Sequence, residues 1–367
     1  MTGRAAKRPS GVRVAVDAMG GDHAPEEIVA GAVQAAATLD AEILLVGPAE
    51  RLTTLLARQR AGGLPVRIID APDVIGMEEP PAMAVRRKRR SSIVVTLRQL
   101  REGTATAAVS AGNTGAAMGA ALLALGRIPA VDRPAIAAVL PTLQKTPVVL
   151  LDVGANVDSR PKHLLQFGVM GHVYAHRVLG IPGPRIALLS NGEEASKGND
   201  VTARAAELLR RSGLPFVGNV EGREVFSGQA DVIVCDGFVG NIVLKFAEGL
   251  ALGIRHLVRE ELAGPGGRLL ALYLAPLWRR GLRFWRRLDY REYGGAPLLG
   301  VNGIVIIAHG RSTAVAIRNA IYRAVDAASR RIVEPITAEM TRIERDLRPL
   351  PASLERSTAG VDGGVEA

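Results

Sequence analysis

The chain has 367 residues, 48% of them hydrophobic and 22% charged, which is typical of a folded globular protein and excludes a disordered one. Its formal net charge of +10 suits an acidic partner, but only 4% of the residues are aromatic, which disfavours stacking on single-stranded nucleic acid. A single cysteine, Cys235, excludes an internal disulfide and a thiolate metal cluster, and we expect no metal.

Apolar runs and amphipathic segments alternate along the chain and predict strands and helices in turn. The predicted strands lie near 12–17, 42–46, 65–70, 106–110, 135–140, 147–151, 185–189, 215–218, 231–235 and 303–307. The predicted helices lie at 26–38, 49–60, 82–102 with a break at Ser91, 114–125, 161–179, 200–211, 239–262, 312–329 and 333–345. This alternation predicts an α/β fold with a largely parallel sheet and helices on both faces.

The two ends of the chain differ in composition from the α/β domain that we expect over 11–346. Segments 1–10 and 347–367 are rich in small and polar residues, and we expect them to be disordered tails. The basic start precedes a strand and not a secretory apolar segment, and no uninterrupted apolar run is long enough to span a bilayer. We therefore expect a cytoplasmic protein.

The first predicted strand ends in AVDAMGGDHAP, residues 15–25, where Asp17, Gly20, Gly21 and His23 precede a helix. In open α/β sheets, ligands bind in loops at the carboxyl ends of strands. Taken alone, the segment also fits a tight turn whose glycines supply positive φ.

Five further strand ends carry the same mixture of glycine with Asn, Asp, Ser or Lys before a helix. They are SAGNTG at 110–115, DVGANVDSRP at 152–161, SNGEEASKGND at 190–200, DGFVGN at 236–241 and HGRST at 309–313. Because strand ends in a parallel sheet share an edge, we expect the six loops to converge on one crevice. Free N–H groups at helix starts suit phosphate or another anion.

Several motifs that would indicate other chemistry are missing from the sequence. It has no GxxxxGK[ST] loop, no GxGxxG after the first strand and no GxSxG elbow, so we expect no nucleotide cofactor and no serine acyl-enzyme. His172 and His176 lack the glutamate of an HExxH motif and are interpreted as structural. Cys235 is expected at a buried strand position, not as a nucleophile.

Lys197 is the one lysine within the six loops, between Gly192 and Gly198. It is interpreted as a group that binds an anionic substrate, with a solvated surface cation as the alternative. The loop asparagines could donate hydrogen bonds to a phosphate or an oxyanion, or could cap their helices.

Six strings over about residues 12–330 resemble those of bacterial phosphate acyltransferases, which make acyl-phosphate from acyl-acyl carrier protein for phospholipid synthesis. The strings are VAVDAMGGDHAP, SAGNTGA, LDVGAN, LSNGEEASKGN, CDGFVGN and YGGAPLLGVNG. The resemblance implies a three-layer α/β/α fold similar to that of isopropylmalate and isocitrate dehydrogenases and of phosphotransacetylases. It also implies a homodimer, no cofactor, and acyl-acyl carrier protein and inorganic phosphate as substrates.

In such a reaction phosphate attacks and a thiolate leaves, so positioning and charge stabilisation suffice without an enzyme nucleophile. We assign Lys197 and the loop amides to the phosphate and the developing oxyanion. The candidates for orienting a donor or moving a proton are Asp17, Asp152, Asp236 and His309. The candidates for holding phosphate or substrate are Gly20, Gly21, His23, Asn113, Thr114, Asn156, Asn191, Asn199 and Asn241.

Two basic stretches are candidate partner surfaces. RRKRR comprises Arg86, Arg87, Lys88, Arg89 and Arg90 and is either a solvated helix face or, given the resemblance, a docking site for the acidic carrier protein. PLWRRGLRFWRRLDY, residues 276–290, predicts an amphipathic helix with five arginines opposite an apolar arc. That arc comprises Leu277, Trp278, Leu282, Phe284, Trp285 and Leu288.

The glycines that flank this helix favour a hairpin insertion over 264–293 that lies on an anionic membrane, with an ordinary core helix as the alternative. The alternative functions for the whole chain are a short-chain phosphotransacetylase, a dehydrogenase on the same fold, and a peripheral membrane scaffold.

Overall fold

The computed structural model describes residues 11–144, 146–263 and 294–347. Its strands are β1 Arg13–Asp17, β2 Glu42–Gly47, β3 Val66–Asp70, β4 Ala107–Ser110, β5 Ala135–Leu140, β6 Val148–Leu151, β7 Ile186–Leu189, β8 Phe216–Val220, β9 Val232–Val234, β10 Ala296–Leu299 and β11 Val305–Ile307. Its α-helices are α1 Glu26–Ala36, α2 Ala49–Arg58, α3 Pro81–Arg87, α4 Ser92–Arg101, α5 Thr114–Leu125, α6 Pro161–Arg177, α7 Asp200–Arg211, α8 Gly237–Ala263, α9 Ala314–Ser329 and α10 Val333–Asp346.

The ten strands predicted from the sequence are confirmed, and so is the break at Ser91 that separates α3 from α4. The described strands form one eleven-stranded sheet in the order β3-β2-β1-β4-β11-β10-β5-β6-β9-β7-β8. Alternate residues of a strand point to opposite sides of the sheet. Because apolar side chains occur on both sides, helices pack on both faces. Leu151 packs into a cluster that includes Phe167 of α6, whereas Leu150 packs on the other face near Val243 of α8. The expected three-layer arrangement is therefore present.

One strand, β10, is missing from the predicted set. It is only four residues long and contains Pro297, which removes a backbone donor and argues against a central strand. It nevertheless pairs antiparallel with β11 on one side and with β5 on the other. Pairing with two neighbours, which no local pattern encodes, makes this segment a strand.

The sheet is largely parallel but contains three antiparallel junctions: β11 with β10, β10 with β5, and β5 with β6. Strands β6 to β9 consequently run opposite to β1 to β4 and β11. Loops 17–23, 110–115 and 309–313, the first loop group, leave one edge of the sheet. Loops 152–161, 190–200 and 236–241, the second loop group, leave the other. The prediction that all six loops share one edge is therefore wrong.

Helix α6 lies unusually close to the sheet in the half that carries the second loop group. A Cβ atom on Gly171 would stand 2.5 Å from Val232 Cγ1 and 3.2 Å from Leu151 Cδ2. These two side chains belong to β9 and β6, the strands that lead into loops 236–241 and 152–161. Glycine at position 171 therefore lets α6 pack closely against the two strands that lead into these loops.

Helix α8 is 27 residues long and stands out for its exposed apolar side chains. They are Phe238, Val239, Ile242, Phe246, Leu250, Leu252, Ile254, Leu257 and Val258. Within the described residues, Gly237–Glu261 is long and apolar enough to cross a membrane, a criterion that a core helix of a soluble protein also meets. The sequence pattern did not indicate such a segment because Lys245 and Glu248 interrupt its apolar run.

The predicted hairpin over 264–293 lies outside the described residues. With it lie the six residues of the predicted membrane-facing arc: Leu277, Trp278, Leu282, Phe284, Trp285 and Leu288. The same holds for segments 1–10 and 348–367, which include almost all of both predicted tails.

Candidate active site

Asp17 is buried at the end of β1, where it ties two loops of the first group together. Ser110 Oγ donates a hydrogen bond of 2.7 Å to its Oδ2 atom. Burial raises the pKa of Asp17, and hydrogen bonds from Ser92 and Ser110 act in the opposite direction. Gly20 is required here, because a Cβ atom would lie 2.6 Å from Asp17 Oδ2 and from Gly112 N.

The first loop also contacts the loop after β11. Gly21 has a φ of +106°, and a Cβ atom there would meet Gly310 O at 2.9 Å, so glycine is needed for both reasons. Asp22 N donates to the same carbonyl at 2.8 Å. His23 is exposed and lines neither of the cavities described below.

Asp152 has the corresponding place at the end of β6, and it is fully buried. Its Oδ1 atom accepts hydrogen bonds from Ile136 N, Gly154 N and Ala155 N, at 3.0, 3.2 and 3.0 Å. Its Oδ2 atom accepts from Asn156 N at 2.7 Å and Asn156 Nδ2 at 2.9 Å. Burial raises the pKa of Asp152, while these N–H groups favour the charged form. These hydrogen bonds show that the Asp152 carboxylate holds the loop after β6 in place.

A first cavity of about 810 Å³ lies among the second loop group. It is lined by Asp158, Asn191, Gly198, Asn199 and Asp236, among others. The polar side chains here also hold the local backbone: Asn191 Oδ1 accepts from Gly198 N at 2.9 Å, and Asn199 Oδ1 caps α7 by accepting from Thr202 N at 2.9 Å. Asp236 Oδ1 likewise accepts from Val239 N in the first turn of α8.

Lys197 is exposed and adjoins this cavity through its neighbour Gly198. A Cβ atom on Gly192 would lie 2.5 Å from Lys197 Cγ, so the lysine stem passes directly over that glycine. Asn219 Nδ2 donates to Glu194 O at 3.0 Å and holds the same loop. The loop backbone that carries Lys197 is thus held in place although the side chain reaches solvent.

A second cavity of about 330 Å³ lies where β5, β10 and β11 meet. Its polar lining includes Thr114, Asn241, Lys245, His309 and Ser312. Thr114 and His309 come from the first loop group, whereas Asn241 comes from the second. The two groups therefore meet here, across the antiparallel junctions and not along a shared edge.

His309 and Lys245 face each other in the second cavity. Lys245 Nζ lies 3.3 Å from His309 Nε2, and it also donates to Glu248 Oε2 at 2.9 Å. Arg311 N donates to the other ring nitrogen, Nδ1, at 3.1 Å. Burial and then the Lys245 cation lower the pKa of His309, so its imidazole is neutral near pH 7.

Lys245 was missed by reasoning from the sequence because it lies inside a helix and not in a strand-end loop. The signal that could have found it is its spacing: it follows Asn241 by four residues, and side chains at i and i+4 share a helix face. One helix face therefore brings Asn241 and Lys245 to the same cavity.

Two other predicted asparagines hold their own loops. Asn113 Oδ1 accepts from Ala116 N at 3.0 Å and caps α5, and its Nδ2 atom donates to Met77 O at 2.8 Å. Asn156 is buried, and its Nδ2 atom donates to Pro134 O at 2.8 Å as well as to Asp152. For both residues the geometry matches the structural alternative.

Cys235 is buried as expected, although it lies one residue past the end of β9 and borders the first cavity, and the paired histidines contact backbone carbonyls. Cys235 is 4% exposed, its Sγ atom lies 3.4 Å from Asp152 O, and burial raises the pKa of its thiol well above the usual value. His172 Nδ1 and His176 Nδ1 contact the carbonyls of Pro184 and Ile181 at 3.0 and 3.1 Å. Among the described residues, no group of three or more His, Cys, Asp or Glu side chains is placed to hold a metal ion.

The basic stretch 86–90 ends α3 and continues into the turn before α4. Its four arginines, Arg86, Arg87, Arg89 and Arg90, are exposed. Lys88 differs, because its Nζ atom lies 2.7 Å from Glu79 Oε1 and donates to Val74 O at 2.9 Å. Lys88 thus anchors the turn, while the arginines are open to a partner.

Comparison with known proteins gives close sequence relatives. Residues 12–334 match a family described as "Fatty acid synthesis protein". The chain is 55% identical over 333 residues to the phosphate acyltransferase of Pelotomaculum thermopropionicum, covering 91% of this chain and 96% of that protein. It is 55% identical over 315 residues to that of Moorella thermoacetica, covering 86% of this chain and 91% of that protein.

Solved structures with the same fold are more distant in sequence. A phosphotransacetylase from Streptococcus pyogenes aligns with a TM-score of 0.60 at 17% identity, covering 87% of this chain and 94% of that one. A phosphotransacetylase from Staphylococcus aureus aligns with a TM-score of 0.58 at 16% identity, covering 86% and 94%. These likenesses confirm the expected α/β/α fold.

Proposed function

The chain belongs to the phosphate acyltransferase family, and on that premise we propose that it transfers a long-chain fatty acyl group from acyl-acyl carrier protein to inorganic phosphate. The product is acyl-phosphate for phospholipid synthesis. The observation that carries the proposal is the close sequence relationship over nearly the whole chain, joined to cavities lined by the glycine-rich loops.

The chemistry needs no covalent enzyme intermediate. An oxygen of hydrogen phosphate attacks the thioester carbonyl carbon, a C–O bond forms, and the C–S bond breaks. The carrier thiolate leaves and takes the proton that the phosphate brought, so acyl-phosphate and free carrier thiol are the products. The protein has to hold both substrates and stabilise the negative charge on the carbonyl oxygen.

Lys197 and the N–H groups of its loop are proposed to stabilise that charge. The loop backbone is held by Asn191 and Asn219, which supports a defined position for the cation. Asp17 and Asp152 are proposed as positioning residues, since hydrogen bonds to the loops occupy their carboxylates.

The carrier protein is proposed to dock on Arg86, Arg87, Arg89 and Arg90, because an acidic carrier complements four exposed arginines at the end of α3 and in the turn that follows it. Glutamate in place of Arg86 and Arg87 should raise the KM for the acyl carrier protein and leave the KM for phosphate unchanged. An unchanged KM for the carrier would exclude the end of α3 from the docking surface.

A homodimer is proposed through α8. Residues Phe246, Leu250 and Leu257 are 70%, 53% and 62% exposed, and their spacing puts them within about 40° of one another on the helix at 100° per residue. A second copy would cover an apolar stripe with an identical one, as a two-fold interface requires.

The protein is proposed to be cytoplasmic with peripheral membrane contact. The support is the sequence of 276–290, with five arginines opposite an apolar arc that holds both tryptophans of the chain.

The deciding experiment supplies purified protein with long-chain acyl-acyl carrier protein and inorganic phosphate, with a chelator and without nucleotide. Free thiol should appear only when phosphate is present, and hydroxylamine should trap the acyl-phosphate. Strict dependence on a divalent metal or a nicotinamide would contradict the proposal. A strong preference for acetyl-coenzyme A would favour a short-chain phosphotransacetylase.

A further inference from the structure

The first turn of α8 lies directly against the backbone of the loop that leaves β6. Gly237 and Gly240 make this approach, since residues three apart share a helix face. A Cβ atom on Gly237 would stand 2.5 Å from Asn156 O and 2.6 Å from Asp152 Oδ2, and Gly237 N donates to Asn156 O at 2.8 Å. A Cβ atom on Gly240 would overlap the backbone carbonyl oxygen of Asp152 and would stand 2.8 Å from Cys235 Sγ. We call this approach the glycine contact.

The backbone on which α8 lies is firmly held. The Asp152 carboxylate accepts hydrogen bonds from N–H groups on both of its oxygens. The main chain is fixed as well, because Asp152 N donates to Cys235 O at 3.0 Å and Cys235 N donates to Leu151 O at 2.8 Å. A packed interior has no space to absorb an added methyl group. A side chain at position 240 must therefore displace the helix and not the loop.

Helix α8 contributes side chains to both cavities. Phe238 and Val239, in its first turn, line the first cavity, which Lys197 adjoins through its neighbour in the loop. Asn241 and Lys245, one and two turns further along, line the second cavity. The place of α8 therefore fixes groups of one cavity relative to groups of the other.

The place of α8 is determined near its start. Val243 and Leu244, in its second turn, pack against an apolar cluster that includes Leu150 of β6. From Leu252 to Glu261, by contrast, every residue is exposed. The glycine contact thus lies at the end of the helix that packs on the sheet, and Lys245 moves with the helix if that end is displaced.

We propose that Gly240 is a positioning residue for acyl transfer, because its lack of a side chain sets the place of α8 and of the groups that α8 presents to both cavities. A misplacement of about 1 Å in such groups can cost about a hundredfold in rate. The inference rests on the proposed function for the identity of the reaction, whereas the place of α8 can be measured without turnover.

The first experiment follows the His309 imidazole by NMR against pH in wild type and in Gly240→Ala. Lys245 Nζ lies 3.3 Å from His309 Nε2, and after burial it is the largest influence that lowers the pKa of His309. Glu248, which is also on α8, raises that pKa less strongly than Lys245 lowers it. Displacing α8 should therefore raise the pKa of His309 toward 6.5.

The matched control is Gly119→Ala. Gly119 also lies inside a helix, α5, but a Cβ atom there would meet nothing within 4 Å, so the same methyl group displaces nothing. This control should leave the His309 titration and the turnover unchanged. If Gly240→Ala lowers the urea midpoint but leaves the His309 titration of the folded protein unchanged, Gly240 is a packing residue only and the inference is overturned.

Kinetics separate this inference from the proposed function. In the acyl-transfer assay, Gly240→Ala should lower kcat by at least about tenfold. The KM for acyl carrier protein should change by less than about twofold, because the proposed docking arginines lie on α3 and in the turn after it. A shifted His309 titration with wild-type kcat would also overturn the inference, since α8 would then move without effect on the reaction. If the wild type releases no thiol, the proposed function fails, and the His309 titration still decides whether Gly240 sets the place of α8.

A second variant covers the case in which Gly240→Ala does not fold. Combining it with Cys235→Ala removes the sulfur atom that the new methyl group would meet and keeps the overlap with Asp152 O. Cys235→Ala alone is then the reference, and the same rise in the pKa of His309 is expected. If the combined variant also fails to fold, Gly240 is required for folding itself and the positioning role is rejected.

Discussion

Asn156 donates two hydrogen bonds to one oxygen of Asp152, from its backbone N at 2.7 Å and from its side-chain Nδ2 at 2.9 Å. With three further N–H donors on the other oxygen, the buried carboxylate holds the loop that leaves β6. The sequence suggests a catalytic role for Asp152 and a substrate-binding role for Asn156. In the structure, both residues hold the loop backbone through hydrogen bonds.

Replacing Asp152 by Asn should destabilise the protein, because an NH₂ group would then face N–H donors in a buried site. The expected loss is about 2–4 kcal/mol in the free energy of unfolding. Urea denaturation measures it, and Asp158→Asn, an exposed position on the same loop, is the control with little expected change. Equal stability of Asp152→Asn and wild type would show that these hydrogen bonds do not hold the loop.

Lys197→Ala should lower turnover by at least about tenfold, a modest figure for the loss of one charge-stabilising group. The fold should persist, because an exposed loop lysine contributes little to the core. Steady-state rates with the long-chain donor test this, with circular dichroism as the control for folding. A folded variant of nearly wild-type activity would exclude Lys197 from the site.

His309 should titrate below its ordinary value of 6.5, because burial and the Lys245 cation both disfavour the imidazolium. Lys245→Ala removes the second cause, so the pKa of His309 should rise. Glu248 and Asp22, which raise the pKa of His309, and Arg311, which lowers it, also act on the ring. NMR of the imidazole protons against pH measures the change, with His309→Gln to assign the signal. A titration that does not move on loss of Lys245 would show that the two groups are not in contact.

The pair of substitutions Phe246→Glu and Leu257→Glu should convert a homodimer to monomers, because each would bury a carboxylate in an apolar interface. Sedimentation equilibrium distinguishes the two states. Arg255→Glu adds the same side chain about 180° around the helix from Phe246 and should leave the dimer intact. If the double variant sediments like the wild type, the exposed face of α8 is not the dimer surface.

Replacing Trp278 and Trp285 by Glu should release the protein from anionic vesicles, because apolar insertion and arginine attraction act together. Co-sedimentation with vesicles measures binding, and Phe at both positions, which keeps the apolar character, is the matched control. Transfer from a soluble acyl donor should survive. Unchanged co-sedimentation of the Glu variant would favour a core or dimer role for segment 276–290, which the sequence predicts to be helical.

The sequence by itself determined the local structure, because apolar periodicity and turn residues act over short distances. It was sufficient for ten strands, for the break before Ser92 and for the buried place of Cys235. The glycine-rich loops at the strand ends could also be recognised from the sequence. A backbone that turns sharply from a strand into a helix needs glycine and polar capping residues in any fold.

Only the tertiary structure determined which of those loops lie at the same edge of the sheet and which residues meet in one cavity. Strand β10 exists because β11 and β5 pair with it, and its proline would otherwise argue against a strand. The antiparallel pairing of β5 with β6 then reverses half of the sheet and separates the loops into two groups. Lys245 meets His309, which lies 64 residues away in the sequence, only after that reversal. Strand direction and distant contacts depend on pairing partners, and no short stretch of sequence specifies its partner.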